Sequence, residues 1–323
     1  MAVGGTSCAP AVFTAGDELP PYAVKGQERQ VTERSRPKLT VGRLEALRDR
    51  TFRRTPASRI RGAASALRFI NEVGFSLTLS DFGLPVPSLR VAAEGRRRPA
   101  WPRRTHHDPA IILAWNLKDE LPARRRCYYG RVVRGKPTLA SLEQFANVFA
   151  LVRGDKGSGD YLVDYRNGEL SRPAFRILDA LHEHGAQYTP DLRRRAGLAA
   201  AEATPAFERA MAELQRRMWV VKTEERYDPS FSYRWDLLDE WMPDETKRAR
   251  DIPRGDAAYG ILRRYLEAAF YTTPRLAASL FGLPPDLAAA AAERLAQEGR
   301  AAAEQRIVGA PGRWLVAREA LKG

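Results

Sequence analysis

Ser76, Thr78 and Ser80 recur at every second position and lead into Asp81. In a strand, side chains at this spacing share one face, while Phe75, Leu77 and Leu79 share the other. Hydroxyls can orient a water but are weak bases, so Asp81 is the nearest group able to accept a proton. A second constellation is Lys118-Asp119-Glu120, close to Trp115 and before Tyr128-Tyr129. Aromatic rings stack on bases or wedge a duplex, Asp119 would activate water, and Lys118 would contact a phosphate or attack C1′. The same residues equally describe a salt-bridged turn beside core aromatics, the commoner arrangement. Candidate catalytic residues are therefore Ser76, Thr78, Asp81, Lys118 and Asp119.

Other chemistries find little support. The four histidines fall in His106-His107 and in His182 and His184. Neither pair has the i, i+4 spacing or the partner cysteines of a metal motif. Cys8 and Cys127 are too few for a disulfide framework, which suits a reducing cytoplasm. The stretch at 154–159 is phosphate-loop-like in composition but lacks the GxxxxGK[ST] order, so it reads as a turn. No metal and no small-molecule cofactor is expected. No apolar run approaches the ~18 residues of a membrane span.

The elements that must position these residues follow from periodicity and caps. Residues 1–37 are rich in Gly, Pro, Ser and Thr without a period and read as a flexible leader. Thr40 is an N-cap for a helix carrying Leu44, Leu47 and Phe52. Thr55-Pro56 predicts the start of a second helix, with Ile60, Ala63, Leu67 and Ile70 in its stripe. That helix breaks at Gly74 into the Phe75 strand. Residues 80–110 read as a long basic surface loop, 111–118 and 127–133 as strands, and 138–152 as a helix.

Further on, the order repeats. Residues 171–184 form an amphipathic helix stopped by Gly185, Thr189-Pro190 starts a short helix, and Thr204-Pro205 starts a third. Two strands follow, at 219–222 and 231–235. The same order returns with a helix at 256–271, Thr273-Pro274, then Pro284-Pro285-Asp286, and strands at 306–308 and 313–316. The expected fold class is α+β, mainly α: tandem winged helix-turn-helix modules with a small β-containing central region. The expected division is leader 1–37, a basic winged-helix-like and central region 38–152, and winged helices at 171–242 and 255–317.

The net charge of +14 is localised. Residues 38–70 carry nine basic against two acidic side chains, and 90–136 carry thirteen against four. Residues 1–37 and 137–323 are each balanced. A confined positive field suggests a polyanion, most simply nucleic acid, and with winged helices the expected partner is duplex DNA. The expected contacts are Arg53, Arg54, Arg59, Arg61, Arg96, Arg97, Arg98, Trp101, Arg103, Arg104, Arg124, Arg125, Arg126 and Tyr128, with Arg193, Arg194 and Arg195 on the middle module.

One run carries a resemblance: Pro87-Ser88-Leu89, then Trp115-Asn116-Leu117-Lys118-Asp119, then Tyr128-Tyr129-Gly130, then Lys136-Pro137-Thr138-Leu139-Ala140-Ser141-Leu142-Glu143. It resembles an AlkZ-related branch of the AlkZ/YcaQ-like winged-helix DNA glycosylases, which unhook alkylated bases and interstrand crosslinks. The likeness spans about residues 38–317. It implies a DNA-repair protein of the cytoplasm, nucleoid-associated when bound. That family carries a Gln-apolar-Gln or Gln-apolar-Asp pair on the strand after its Gly-Phe step, to hold the attacking water. Here Ser76 and Thr78 occupy those positions. Three readings follow: a DNA N-glycosylase-like hydrolase, a non-catalytic DNA-binding protein or transcription regulator, or a protein-interaction scaffold whose arginines bind an acidic partner.

Overall fold

The computed structural model describes residues 38–79, 83–154 and 160–322. The leader, Ser80, Asp81, and most of the glycine-rich turn at 154–159 lie outside the described residues. Helix α1 (Val41–Thr51) is capped by Thr40, whose Oγ1 accepts from the Arg43 amide at 3.2 Å. After it, Thr55–Ser58 closes a turn in which the Ser58 amide donates to the Thr55 carbonyl. The expected helix start at Thr55-Pro56 is therefore corrected: α2 (Ala63–Val73) begins only after Gly62. The Ile60 amide instead donates to the Ala92 carbonyl, which holds that residue out of a helix.

Gly74 ends α2 with φ +79° and turns the chain directly into β1 (Phe75–Leu77). The long loop expected next contains a helix, α3 (Leu89–Glu94), capped by the Ser88 hydroxyl and buried along Leu89, Val91 and Ala92. The strand expected at 111–118 is also corrected. It is α4 (Pro109–Ala123), with Asp108 accepting from the Ile111 amide at 2.8 Å and Pro109 in the first turn. Its buried residues, Ala110, Ile111, Ala114, Leu117, Lys118 and Leu121, follow the helical period.

Strands β2 (Tyr128–Arg131) and β3 (Pro137–Ala140) complete a sheet of order β1-β3-β2. Phe75 and Tyr128 both lie opposite Ala140. The helix expected from Thr138 starts later, as α5 (Leu142–Arg153) with Ser141 as cap, because Thr138 and Leu139 pair in β3. Helix α6 (Tyr161–Arg166) leads to the first repeat. That repeat is α7 (Arg172–His184), β4 (Gln187–Tyr188), α8 (Thr189–Arg195), α9 (Thr204–Arg216), β5 (Val220–Arg226) and β6 (Ser232–Leu237). Helices α10 (Leu238–Trp241) and α11 (Pro243–Arg250) connect it to the second. The second comprises α12 (Arg254–Ala269), β7 (Tyr271–Thr272), α13 (Pro274–Phe281), α14 (Pro285–Gln297), β8 (Ala301–Ile307) and β9 (Ala310–Ala317). The two sheets have matching orders, β4-β6-β5 and β7-β9-β8.

Two hydrophobic cores result. One is centred on the first repeat, around Leu178, Leu192, Leu214 and Trp235, with Leu170 and the α6 tyrosines Tyr161 and Tyr165 packed on it. The other runs from Leu44, Phe69 and Phe145 into Ile261 and Leu295, so the N-terminal region and the second repeat share an interior. Arg48 of α1 is 4% exposed and donates to the Ala269 carbonyl at 2.6 Å and the Tyr271 carbonyl at 3.2 Å.

A Cβ at Gly74 would stand 2.4 Å from Cγ of Arg264 and 3.0 Å from Cγ of Gln144, at a φ that L side chains rarely adopt. Gly74→Ala should therefore destabilise the chain by about 1–3 kcal/mol in thermal or urea unfolding. An unchanged midpoint would mean that α2 and β1 tolerate another junction.

Candidate functional site

Strand β1 lies between two backbones. The Thr78 amide donates to Pro137 O at 3.1 Å, the Leu77 amide to Pro87 O at 2.9 Å, and the Arg90 amide to Thr78 O at 3.3 Å. Both hydroxyls are therefore buried. Ser76 donates to the Leu77 carbonyl at 3.2 Å, and Thr78 Oγ1 makes no well-formed hydrogen bond among the described residues. The polar group that Thr78 influences is the Tyr129 phenol of β2. Burial first, then the Glu225 and Asp119 carboxylates, push that phenol far up, and the Thr78 hydroxyl acts the other way.

Tyr129 borders an ionic quartet. Lys118 Nζ donates to both Asp119 oxygens at 2.7 and 2.8 Å and to Glu225 Oε1 at 2.8 Å. Lys222 Nζ reaches Asp119 Oδ1 at 3.1 Å and also bonds Glu225 Oε1. Glu225 Oε2 accepts from the Tyr227 hydroxyl at 2.8 Å. The ammonium of Lys118 lies 4.4 Å from the Trp115 ring centre, and that of Lys222 lies 4.8 Å from the Tyr129 ring centre. The side chains of Lys118 and Glu225 are 3% and 6% exposed, whereas that of Asp119 is 31% exposed.

These exposures set the available chemistry. Lys118 Nζ is spent on the Asp119 and Glu225 carboxylates, so it is not free to attack an anomeric carbon. Glu225 is desolvated, which alone would raise its pKa. The Lys118 and Lys222 hydrogen bonds overcome that and hold it down to about 2. Asp119 is the member able to meet a water or a ligand. Sequence reasoning found Lys118 and Asp119 but missed Lys222 and Glu225. In a regular strand, residues three apart face opposite ways. The ladder here shifts register between Lys222 and Glu224, and that irregularity resets the alternation. No local signal announces it.

The expected DNA contacts divide into three groups. Arg59, Arg61, Arg98, Arg103, Arg104, Arg126 and Arg195 are exposed and make no ion pair among the described residues. Arg53 pairs with Glu72, Arg54 with Glu45, Arg97 with Asp49, Arg124 with Glu120 and Arg194 with Asp191; Arg96 lies 3.9 Å from Glu94. Arg125 covers the Trp241 ring. Arg193 instead ties down a loop, donating to Leu198 O, Ala200 O and Thr204 Oγ1. Trp101 is 52% exposed and stacks on Arg90. Tyr128 packs against Phe145 at 4% exposure, so it offers no face to a base and belongs to the core.

Among the described residues no group of three His, Cys, Asp or Glu side chains could hold a metal ion. His106 and His107 are exposed, and His182 stacks on Tyr161. The Cys127 thiol is buried, and burial pushes its pKa up to about 12. No helix of the described residues is long and apolar enough to cross a membrane.

A family model described as AlkZ related matches residues 60–281, more than half of the chain. Among solved structures, the fold is similar to Streptomyces sahachiroi DNA glycosylase AlkZ. The TM-score is 0.54 at 14% identity, over 87% of this chain and 71% of that one. No protein of curated function matches the sequence.

Because the folded pKa of Glu225 lies below its ordinary value, its ion pairs stabilise the fold fully above about pH 4.5. That stability is lost as pH falls toward about 2. Glu225→Gln should flatten this part of the stability–pH curve in urea titrations between those limits. A variant curve parallel to wild type would remove Glu225 as the titrating group.

Proposed function

The chain belongs to the AlkZ-related family, and on that premise we propose that it binds duplex DNA and serves in repair of alkylated or crosslinked bases. The observation that carries this reading is the charge distribution: the whole basic excess lies in residues 38–136. Many of its arginines are exposed and have no ion-pair partner among the described residues, including Arg59, Arg61, Arg103 and Arg104. Such groups exchange condensed counterions for phosphates.

The modular reading accords with this role. Each repeat has the order helix, strand, helix, helix, strand, strand, an order that supports the winged-helix reading. We read residues 38–152, 171–242 and 255–317 as three such modules. The middle one presents Arg195 and the last is scaffold. The site of action is the cytoplasm, at nucleoid DNA.

For base release, Asp119 takes the role of orienting water, since Ser76 and Thr78 are buried and neutral. The burial of those hydroxyls also favours a second reading, a DNA-binding protein that recognises lesions or regulates transcription without cutting a glycosidic bond.

Two measurements decide. Fluorescence anisotropy with a duplex should show affinity falling steeply with salt. Arg103→Ala with Arg104→Ala should reduce the log–log salt slope by roughly two. Absence of duplex binding at low salt would remove the DNA reading. Abasic sites formed on alkylated or crosslinked duplex would establish catalysis, and Asp119→Asn should then slow release by roughly 100-fold. Intact glycosidic bonds throughout would favour the second reading.

A further inference from the structure

A cavity of about 560 Å³ opens between α1, the segment around residues 83–88, and the end of α3. It includes none of the ionic quartet. Among the described residues, four guanidinium groups line it, those of Arg48, Arg54, Arg97 and Arg98, against one carboxylate, Glu45. Glu45 is spent on two of them: Oε1 accepts from Arg48 at 2.7 Å and Oε2 from Arg54 at 2.8 Å. Asp49 takes the Nε and Nη2 donors of Arg97 at 2.9 and 2.5 Å. Arg98 is exposed and has no ion-pair partner among the described residues. Arg54 keeps a buried Nε without a hydrogen-bond partner, although its other end is anchored.

The rest of the wall is apolar. Leu84 and Val86 come from the 83–88 segment, Val41 from α1 and Val91 from α3. The size lies within the roughly 300–1,000 Å³ typical of small-molecule sites. Guanidinium donors are suited to the tetrahedral oxygens of a phosphate, and an aliphatic wall suits a flat ring. Arg54 is already held by Glu45 and rests on the Phe52 ring at 4.6 Å, so little order remains to be imposed on it by a ligand.

We propose that this cavity binds the phosphate monoester of a nucleotide, with Arg54 and Arg98 on the phosphate and the aliphatic wall against the base or sugar. Two carriers present that chemistry, a free nucleotide and a phosphorylated DNA end. The second rests on the DNA-binding reading and the first does not.

Isothermal titration calorimetry on the full chain compares deoxyadenosine 5′-monophosphate, deoxyadenosine and inorganic phosphate. The nucleotide should bind at least roughly tenfold more tightly than either fragment, because it alone uses both walls. Arg98→Ala should lower nucleotide affinity roughly tenfold, and Arg98→Lys should restore part of it. Arg98 is a surface residue, and circular dichroism will verify that the variants fold. Anisotropy with one short duplex, carrying either 5′-phosphates or 5′-hydroxyls, identifies the carrier. A preference for the phosphorylated end assigns a DNA terminus; equal affinity with nucleotide binding retained assigns a free nucleotide. If neither duplex binds while the nucleotide does, the DNA reading falls and the cavity assignment stands. Nucleotide binding no tighter than that of the nucleoside, or unaffected by Arg98→Ala, overturns the assignment.

Discussion

Arg48 carries a permanent charge into the interior, and such a charge is tolerated only where its donors are met. Glu45 meets one side of the guanidinium, the carbonyls of Ala269 and Tyr271 meet the rest, and the Tyr271 ring lies against its face. The two carbonyls stand more than 220 residues away in sequence. Helix α1 is thereby held to the junction of α12 and β7. At its other end, the Val41 amide donates to Val308 O and the Val308 amide to Leu39 O, so the start of the helix is tied to the tip of the last hairpin. The shared core of the N-terminal region and the second repeat follows from these attachments. The cavity follows as well, since the carboxylate that neutralises Arg48 is the one that orients Arg54.

The first repeat is attached differently. It keeps an apolar core of its own, lends Met218 and Val221 to the other core, and also meets α4 and β2 through charge and aromatic rings. Apolar contact alone permits sliding, and the four charges with directed hydrogen bonds add a fixed register to it. The quartet contains two lysines and two carboxylates, so neutrality is achieved locally while most of the surrounding basic excess stays available to a polyanion. Trp115 and Tyr227 border the same cluster and remain about half exposed, so stacking surface lies next to fixed charge.

The strand that draws attention in the sequence has become a more constrained object. Its Gly-Phe step is a packing requirement, because Arg264 and Gln144 fill the space a side chain would need. Its hydroxyls are interior, flanked by β3 on one edge and by the 87–88 segment on the other. The polar surface that a reacting group could reach has moved one layer outward, from Ser76 and Thr78 to Asp119.

The amino-acid sequence by itself determined the locally encoded features. Thr40, Ser171 and Thr273 act as caps because an N-cap needs only an oxygen two or three residues ahead of an unpaired amide. The two repeats are legible for the same reason, each opening its short helix with Thr-Pro and closing with two strands. The confined charge, too, is a property of composition. Tertiary structure decided the rest. The apolar run at Ile111–Leu113 fits a strand or a helix by itself; the Asp108 cap with Pro109 favours the helix locally, and the packing of Ala114, Leu117 and Leu121 into a shared core fixes it. Thr138 and Leu139 become strand because β1 supplies partners from more than 60 residues earlier. Glu225 joins Lys118 through a shifted ladder and a contact spanning 107 positions. Hydrogen-bond partners that far apart leave no periodicity to read, so the site exists only once the chain has folded.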